Sequence, residues 1–332
     1  MIVVTGASGL IGNNLIRTLL AQGSKVRALV HQNTRPLAGL DIEIAAGDLL
    51  SPSSLEAAFV DAEIVYHVAG AISLRMDSWK QMERVNIIGT RNVVQACIKS
   101  KVKRLIHFSS IHALQQEPLS IPVNETRPHT SSTNYPPYDR SKAAGEEEVH
   151  KGLEMGLDAV ILNPTAIIGP YDFEPSYLGK ALLHMANGRL PALITVGFNW
   201  VDARDVAVAA IQASQLGITG ESYLVAGHWR SIEQIGQLVA EISKNPAPKL
   251  IVPLWLAAAG IPLSAALSRV FGEENIFTRA TVKALKSNRN IDDSKARHRL
   301  NYQPRPFRDT IFDTIQWFID NGYLTLTNTH LT

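Results

Sequence analysis

Cysteine is almost missing from this 332-residue sequence, where Cys97 stands alone. A single thiol closes no intrachain disulfide and supplies no thiolate zinc cluster, which excludes a disulfide scaffold and points to a reducing, cytoplasmic setting; no metal site is expected. An excess of one charge is missing too. Thirty-two Lys and Arg oppose 30 Asp and Glu, a net charge of +2, so the main electrostatic reason to expect a nucleic-acid partner is gone. Low-complexity tracts and internal repeats are absent, and 45% hydrophobic with 19% charged residues excludes a disordered chain. No secretory signal is expected, because Met1 is followed at once by Ile2-Val3-Val4 with no basic stretch before it. Long apolar runs are nearly absent. The exception, Leu250 to Ser268, is uncharged and long enough to span a bilayer, but Pro253, Gly260, Pro262, Ser264 and Ser268 interrupt it. It is expected to be a buried or interfacial helix, with no membrane partner.

What is present is alternation. Short β-branched runs at Ile2–Val4, Val26–Val30, Glu43–Ala45, Ile64–Val68, Leu105–Phe108 and Ala159–Leu162 are separated by helical stretches near Leu10–Ala21, Ser53–Phe59, Gln81–Lys99 and Tyr138–Met155. Strands separated by helices of this length make βαβ units, hence an α/β fold with a doubly wound parallel sheet and a ligand crevice at the strands' carboxyl ends. After Pro164, Gly169-Pro170, Pro175, Gly188, Pro191 and Gly197 punctuate shorter elements. A strand end plus helix at Val201–Gln215 and a strand at Glu221–Ala226 are expected to return to the large domain. The predicted division is therefore 1–165 with about 200–226 as a dinucleotide-binding domain, 166–199 with 227–323 as a smaller, mainly helical substrate domain, and 324–332 as a tail.

The first strand runs into Thr5-Gly6-Ala7-Ser8-Gly9-Leu10-Ile11-Gly12 and then a helix. Glycines in that context let the backbone turn tightly, admit a pyrophosphate to the amides, and let helix pack on strand; the helix N-terminus adds orphan N–H groups. The spacing is one residue longer than the standard dinucleotide fingerprint. At the end of the second strand, Arg27 to Arg35 contains no acid to accept a ribose hydroxyl. His31 and Arg35 are instead placed to face a 2′-phosphate, which favours NADP(H) over NAD(H). Asp48, after the third strand, is placed to meet the adenine.

Tyr138 and Lys142 stand four residues apart, on one face of a helix. A phenol ionises near pH 10, too high for acid–base work at neutrality, and a neighbouring ammonium would lower it. Ser109 and Ser110 close the strand Leu105–Phe108, where a hydroxyl can hold a reacting oxygen.

Together these motifs resemble the extended short-chain dehydrogenase/reductase family, in its NAD-dependent epimerase/dehydratase group. Thr5 to Gly12, Gly47-Asp48-Leu49, His67-Val68-Ala69-Gly70, Asn86-Ile87-Ile88-Gly89-Thr90, Phe108-Ser109-Ser110, Tyr138 with Lys142, Asn163-Pro164-Thr165 and Ile168-Gly169-Pro170 carry the resemblance. It implies a Rossmann-type sheet, with Tyr138 as general acid/base, Lys142 on the nicotinamide ribose and Ser110 on the substrate oxygen. It also implies cofactor contacts from Gly6, Ser8, Gly9, Leu10, Ile11, Gly12, Asp48, Leu49, Ala69, Gly70, Asn163, Pro164 and Thr165. Asn86 is expected to brace loop and helix. Leu162 to Asp172 resembles the dihydroflavonol-reductase and 3β-hydroxysteroid-dehydrogenase-like branch.

Nucleotide-sugar members of the family usually carry an arginine where this chain has Phe198, which tells against a sugar diphosphate unless Arg189 or Arg279 substitutes. Ile72, Leu74, His112, Tyr171, Phe173, Tyr177, Phe198 and Trp200 are candidate pocket residues suited to an apolar or aromatic carbonyl; each has ordinary core packing as its alternative, and His112 has loop capping. Three functions stay open: a reductase consuming NADPH on a carbonyl or alcohol substrate, a sugar epimerase or dehydratase with retained nicotinamide, and a non-catalytic dinucleotide sensor. The resemblance also implies a homodimer paired through the helices near Gln81–Lys99 and Tyr138–Met155, although Val85, Ile88 and Val93 have core packing as their alternative.

Overall fold

The computed structural model describes residues 1–190, 192–248, 250–262 and 278–325. Each expected strand of the first half forms: β1 (Ile2–Thr5), β2 (Val26–Val30), β3 (Glu43–Ala46), β4 (Ile64–His67), β5 (Arg104–Phe108) and β6 (Ala159–Pro164). Between them lie α1 (Leu10–Ala21), α2 (Pro52–Ala58), α3 (Trp79–Met82), α4 (Thr90–Lys99) and α5 (Pro137–Glu154). With β10 (Ser222–Val225) these strands make a parallel seven-stranded sheet in the order β10-β6-β5-β4-β1-β2-β3. The chain leaves β1 toward β3 and then restarts on the other side at β4. The crevice between the ends of β1 and β4 is thus the switch point where ligands bind in such sheets.

Both sheet faces are covered, which is why the strands read as continuous apolar runs rather than alternating ones. Val4, Ile106, Val160 and Leu162 face α1 (with Leu15 and Ile16) and α7 (Ala203–Leu216), while Val3, Leu105, Ala159 and Ile161 face α2, α4 and α5. The helix expected over Gln81–Lys99 is interrupted: Glu83–Gly89 winds as a wider π turn between α3 and α4. There Asn86 accepts from the Ala71 amide at 2.8 Å and donates to the Ala71 carbonyl at 2.9 Å and Ser141 Oγ at 2.9 Å.

The second part is less helical than expected. β7 (Ala166–Ile168), β9 (Gly197–Asp202) and β11 (His228–Ser231) form a three-stranded sheet, and β8 (Leu193–Ile194) pairs with β12 (Ile251–Val252). The strand before α7 therefore joins this small sheet, whereas α7 packs on α1 and β10 enters the large sheet. Ile168, Leu182, Met185, Trp200, Ile235, Val239, Ile311, Ile315 and Phe318 make the core here, with helices α6 (Tyr177–Ala186), α8 (Ile232–Ser243) and, near the carboxyl end, Phe307–Asp320. The two parts are stitched at Asp202. Its buried carboxylate caps α7 through the Arg204 amide at 2.8 Å and pairs with the Arg204 guanidinium at 2.7 Å and Arg305 at 3.4 Å. The uncharged run from Leu250 becomes β12 and the short helix α9 (Leu254–Ala259), with Pro253 and Gly260 bounding the helix. Residues 263–268 of that run, Pro191 and residues 326–332 lie outside the described residues. Among the described residues no helix is long and apolar enough to cross a membrane.

Candidate active site

One cleft of about 1730 Å³ runs from the switch point to the small sheet. At its first end Gly6 has φ +68°, and a Cβ there would lie 2.6 Å from the Ala69 amide nitrogen. Only glycine lets β1 and β4 end this close together. Gly9 precedes α1 without any side-chain cap, so the amides at the start of the helix stay available, and Leu10 and Ile11 line the cleft. A backbone cradle with uncapped N–H groups at a helix N-terminus fits the pyrophosphate of a dinucleotide. Gly12 is behind it: a Cβ would meet the Gly6 carbonyl at 2.2 Å, so this glycine seats the helix on the loop rather than touching the cleft.

His31, Gln32 and Asn33 line the cleft beyond β2, and Asp48 and Leu49 line it beyond β3. His31 Nε2 stands 3.7 Å from Asp48 Oδ2. Ser8 Oγ hydrogen-bonds the Asn33 carbonyl, joining the glycine loop to this wall. Arg35 is not in the wall; it is exposed at the start of a 3-10 turn, Arg35–Leu37, whose Pro36 and Leu37 are buried. Val68, Ala69 and Gly70 line the floor after β4.

Ser110, Tyr138 and Lys142 meet in the middle of the cleft. Ser110 lies two residues past β5 in extended backbone, and its hydroxyl accepts from the His112 amide at 3.2 Å, capping the turn Ile111–Ala113. Tyr138 and Lys142 lie one turn apart on α5, and the Ser110 side chain is near enough to the phenol to act on it. Burial pushes the Tyr138 phenol up to about 12, with Asp139 adding to the shift and Ser110 acting against it, so the lowered phenol expected beside an ammonium is not what the chain alone produces. Lys142 is buried beside it. Its ammonium donates to the Phe108 carbonyl at 2.7 Å, and burial pushes it down to about 8, opposed by Glu146. At the phenol itself, burial and the nearby Asp139 carboxylate both raise it and only Ser110 opposes them. Among the described residues no cluster of His, Cys, Asp or Glu is arranged to hold a metal.

Asn163, near the end of β6, is fully buried and does not line the cleft. Its amide donates to the Ser110 carbonyl at 3.1 Å and to Glu146 Oε1 at 2.6 Å, while Pro164 and Thr165 reach the cleft. The second end is mainly apolar, although Asp172, Glu174 and Lys180 also line the cleft. Ile72, Leu74, Tyr177, Phe198 and Trp200 line it, Phe198 packing edge-on to Trp200 at 5.4 Å. His112 also reaches it, 3.9 Å from Asp139 and 6.4 Å from the Tyr138 ring. Tyr171 and Phe173 do not line it. The Arg17 guanidinium sits 4.1 Å above the Tyr171 ring, and Phe173 packs on Trp317 at 5.0 Å, so both are turned into the core. Neither Arg189 nor Arg279 is in the wall. The sequence reading missed Leu178, Leu182 and Met185, an apolar stripe of α6 that lines the cleft; their helical spacing was the available signal. It also missed Glu146 and His129 behind Lys142.

Residues 2–226 match the NAD dependent epimerase/dehydratase family. The chain belongs to that family. It is 35% identical to sterol demethylase protein B of Methylococcus capsulatus, over 97% of this chain and 99% of the relative. A putative dihydroflavonol 4-reductase of Synechocystis sp. is 31% identical over 97% and 95%. The crystal structure of gox2253 superposes with a TM-score of 0.85 at 33% identity, covering 98% of this chain and 99% of that one. The chain is an NAD(P)-dependent oxidoreductase of the extended short-chain dehydrogenase/reductase type.

Proposed function

We propose that this protein reduces a carbonyl of a small apolar or aromatic substrate, or runs the reverse oxidation, with NADP(H) as cofactor. The carrying observation is that Ser110, Tyr138 and Lys142 sit where the dinucleotide end of the cleft meets an apolar end with Phe198 in its wall. A bound nicotinamide supplies or accepts the hydride. Ser110 Oγ and the Tyr138 hydroxyl, side by side in the cleft, converge on one substrate oxygen and fix its distance from the proton donor. Tyr138, protonated at neutral pH, delivers its proton to that oxygen as charge develops on it, and needs the phenolate stabilised to do so. Lys142 orients the ribose side and carries the positive charge that stabilises the resulting phenolate. Leu178, Leu182, Met185, Phe198 and Trp200 receive the apolar body and exclude water. The sterol and dihydroflavonol in the relatives' names are substrates of this shape and character.

For the cofactor, the reading rests on the lack of an acid at the end of β2, with His31 on the cleft rim and Arg35 exposed a short turn beyond. A cytoplasmic setting is supported by the lone, buried Cys97. Homodimerisation is supported by Ile88, exposed in the π turn ahead of α4, while Val93 is core.

The test is Tyr138→Phe assayed for NADPH oxidation with apolar ketones and aldehydes. Turnover should fall by at least about a hundredfold while NADPH affinity stays within about twofold. Retained turnover overturns the assignment. Tightly retained NAD(H) with no net cofactor oxidation would instead favour the epimerase or dehydratase reading.

A further inference from the structure

We propose that Glu146 is a positioning residue, the buried counter-charge that keeps Lys142 an ammonium, and that it shares this charge with His129, which reaches solvent on the far side of α5 from the cleft. The inference rests on the reading of Lys142 as the cationic partner of Tyr138.

The need comes first. Lys142 is 7% exposed, and its one hydrogen bond among the described residues goes to a neutral carbonyl. A buried ammonium discharges unless an anion faces it. From β4 it meets His67, whose ring lies between Thr5 Oγ1 at 2.8 Å and Thr90 Oγ1 at 3.1 Å. From β5 it meets His107, sealed in the core. Burial holds both imidazoles neutral, so neither supplies negative charge. On α5 its neighbours one turn away are the neutral phenol of Tyr138 and the carboxylate of Glu146. Glu146, buried with Lys142 one turn farther along α5, is the anion on that face.

Glu146 is 1% exposed and both its oxygens are engaged. Oε1 takes the Asn163 amide at 2.6 Å, and Asn163 in turn holds the Ser110 carbonyl, so the same carboxylate anchors the strand end that carries Ser110. Oε2 faces His129 Nε2 at 3.0 Å. The other ring nitrogen of His129 faces Glu147 Oε1 at 3.0 Å, and a small surface pocket lined by Trp79, Ser131, Arg140 and Glu147 opens beside it. The groups facing His129 are thus Glu146, Glu147 and Arg140, all from α5. Its imidazole is pushed up from its ordinary value, chiefly by the Glu146 bond.

Two cations therefore share one buried carboxylate. While His129 is charged, Glu146 is partly spent on it. As pH rises and His129 discharges, the full carboxylate charge falls to Lys142, in the range where a buried lysine would otherwise lose its proton. Lys142 stays charged to higher pH than its burial allows.

The experiment labels lysines of the cofactor-free protein by reductive ¹³C-methylation, assigns Lys142 by the signal lost in Lys142→Arg, and follows its NMR shift with pH. Glu146→Gln keeps the shape and should lower the Lys142 midpoint by about one pH unit or more, while Glu146→Asp restores most of it. His129→Gln keeps a donor without a charge, so Lys142 should titrate at the same pH or higher and lose any inflection coming from His129. In the enzyme assay Glu146→Gln should lose turnover more steeply above about pH 8 than at neutrality, a split that a merely structural loss does not give. An unchanged Lys142 midpoint in Glu146→Gln refutes the proposal. If that variant does not fold, a lowered midpoint in His129→Gln refutes it equally. Failure of the reductase reading shows separately, as retained turnover in Tyr138→Phe with the NMR result standing.

Discussion

Gly6→Ala tests whether the cradle is set by backbone packing. At φ +68° an alanine pays about 1–2 kcal/mol for the left-handed conformation alone. Its Cβ would also lie 2.6 Å from Ala69 N, 2.7 Å from Ala69 Cα and 3.0 Å from Val68 C. These are backbone atoms of the segment after β4, with no flexible side chain to yield, so overlap adds about 1–3 kcal/mol. Gly23→Ala is the matched control: φ is +75° and nothing lies within 4 Å, leaving only the conformational cost. Urea unfolding should show Gly6→Ala less stable than Gly23→Ala by about 1–3 kcal/mol. Calorimetric titration with NADPH should show at least about a tenfold weaker complex for Gly6→Ala, because loop and floor must move apart, and no change for Gly23→Ala. Equal destabilisation by the two substitutions, or wild-type NADPH binding in Gly6→Ala, would refute the packing argument.

Asp202→Ala removes a helix cap and leaves Arg204 and Arg305 without their shared buried partner; the urea midpoint should fall by an amount equivalent to about 3 kcal/mol, the low end for a broken buried pair because Asp313 and Asp205 still hold the two arginines. Asp172 is 3% exposed, and burial pushes its carboxyl from 3.8 up to about 6, against hydrogen bonds from Ser176. The folded chain binds this proton more tightly than the unfolded one, so its contribution is fully present below about pH 4 and is lost as pH rises through about 6, a change of about 3 kcal/mol. Asp172→Asn should flatten that part of a stability-versus-pH curve measured by urea unfolding; an unchanged slope would mean the carboxyl titrates normally. Phe198→Arg puts an unpaired guanidinium into the apolar wall and should cut turnover of an apolar ketone at least about tenfold with NADPH affinity unchanged, as read by steady-state kinetics and titration.

The dinucleotide half was legible because its signals are local. The β1 run, Gly6, Gly9 and the helix start at Leu10 are contiguous, and Tyr138 and Lys142 declare their shared face by spacing alone. The π turn at Glu83–Gly89 was not legible, since its apolar pattern is that of an ordinary helix and the widening follows from Asn86 reaching Ala71 and Ser141. Tyr171 and Phe173 read as pocket aromatics, yet Arg17 and Trp317, distant in sequence, draw them into the core.

The sequence by itself determined the strand order of chemistry: a cradle for phosphate after the first strand, a serine at the end of the fifth, and a tyrosine and lysine one turn apart. Those properties depend on near neighbours and on helix or strand period, which the chain carries in one dimension. Tertiary structure decided the state of those groups. How deeply Lys142 is buried, which carbonyl it meets, and that Glu146 and His129 stand behind it follow from how α5 lies on the ends of β4, β5 and β6. Desolvation and charge pairing are set by everything within a few ångströms, and most of that arrives from far along the chain.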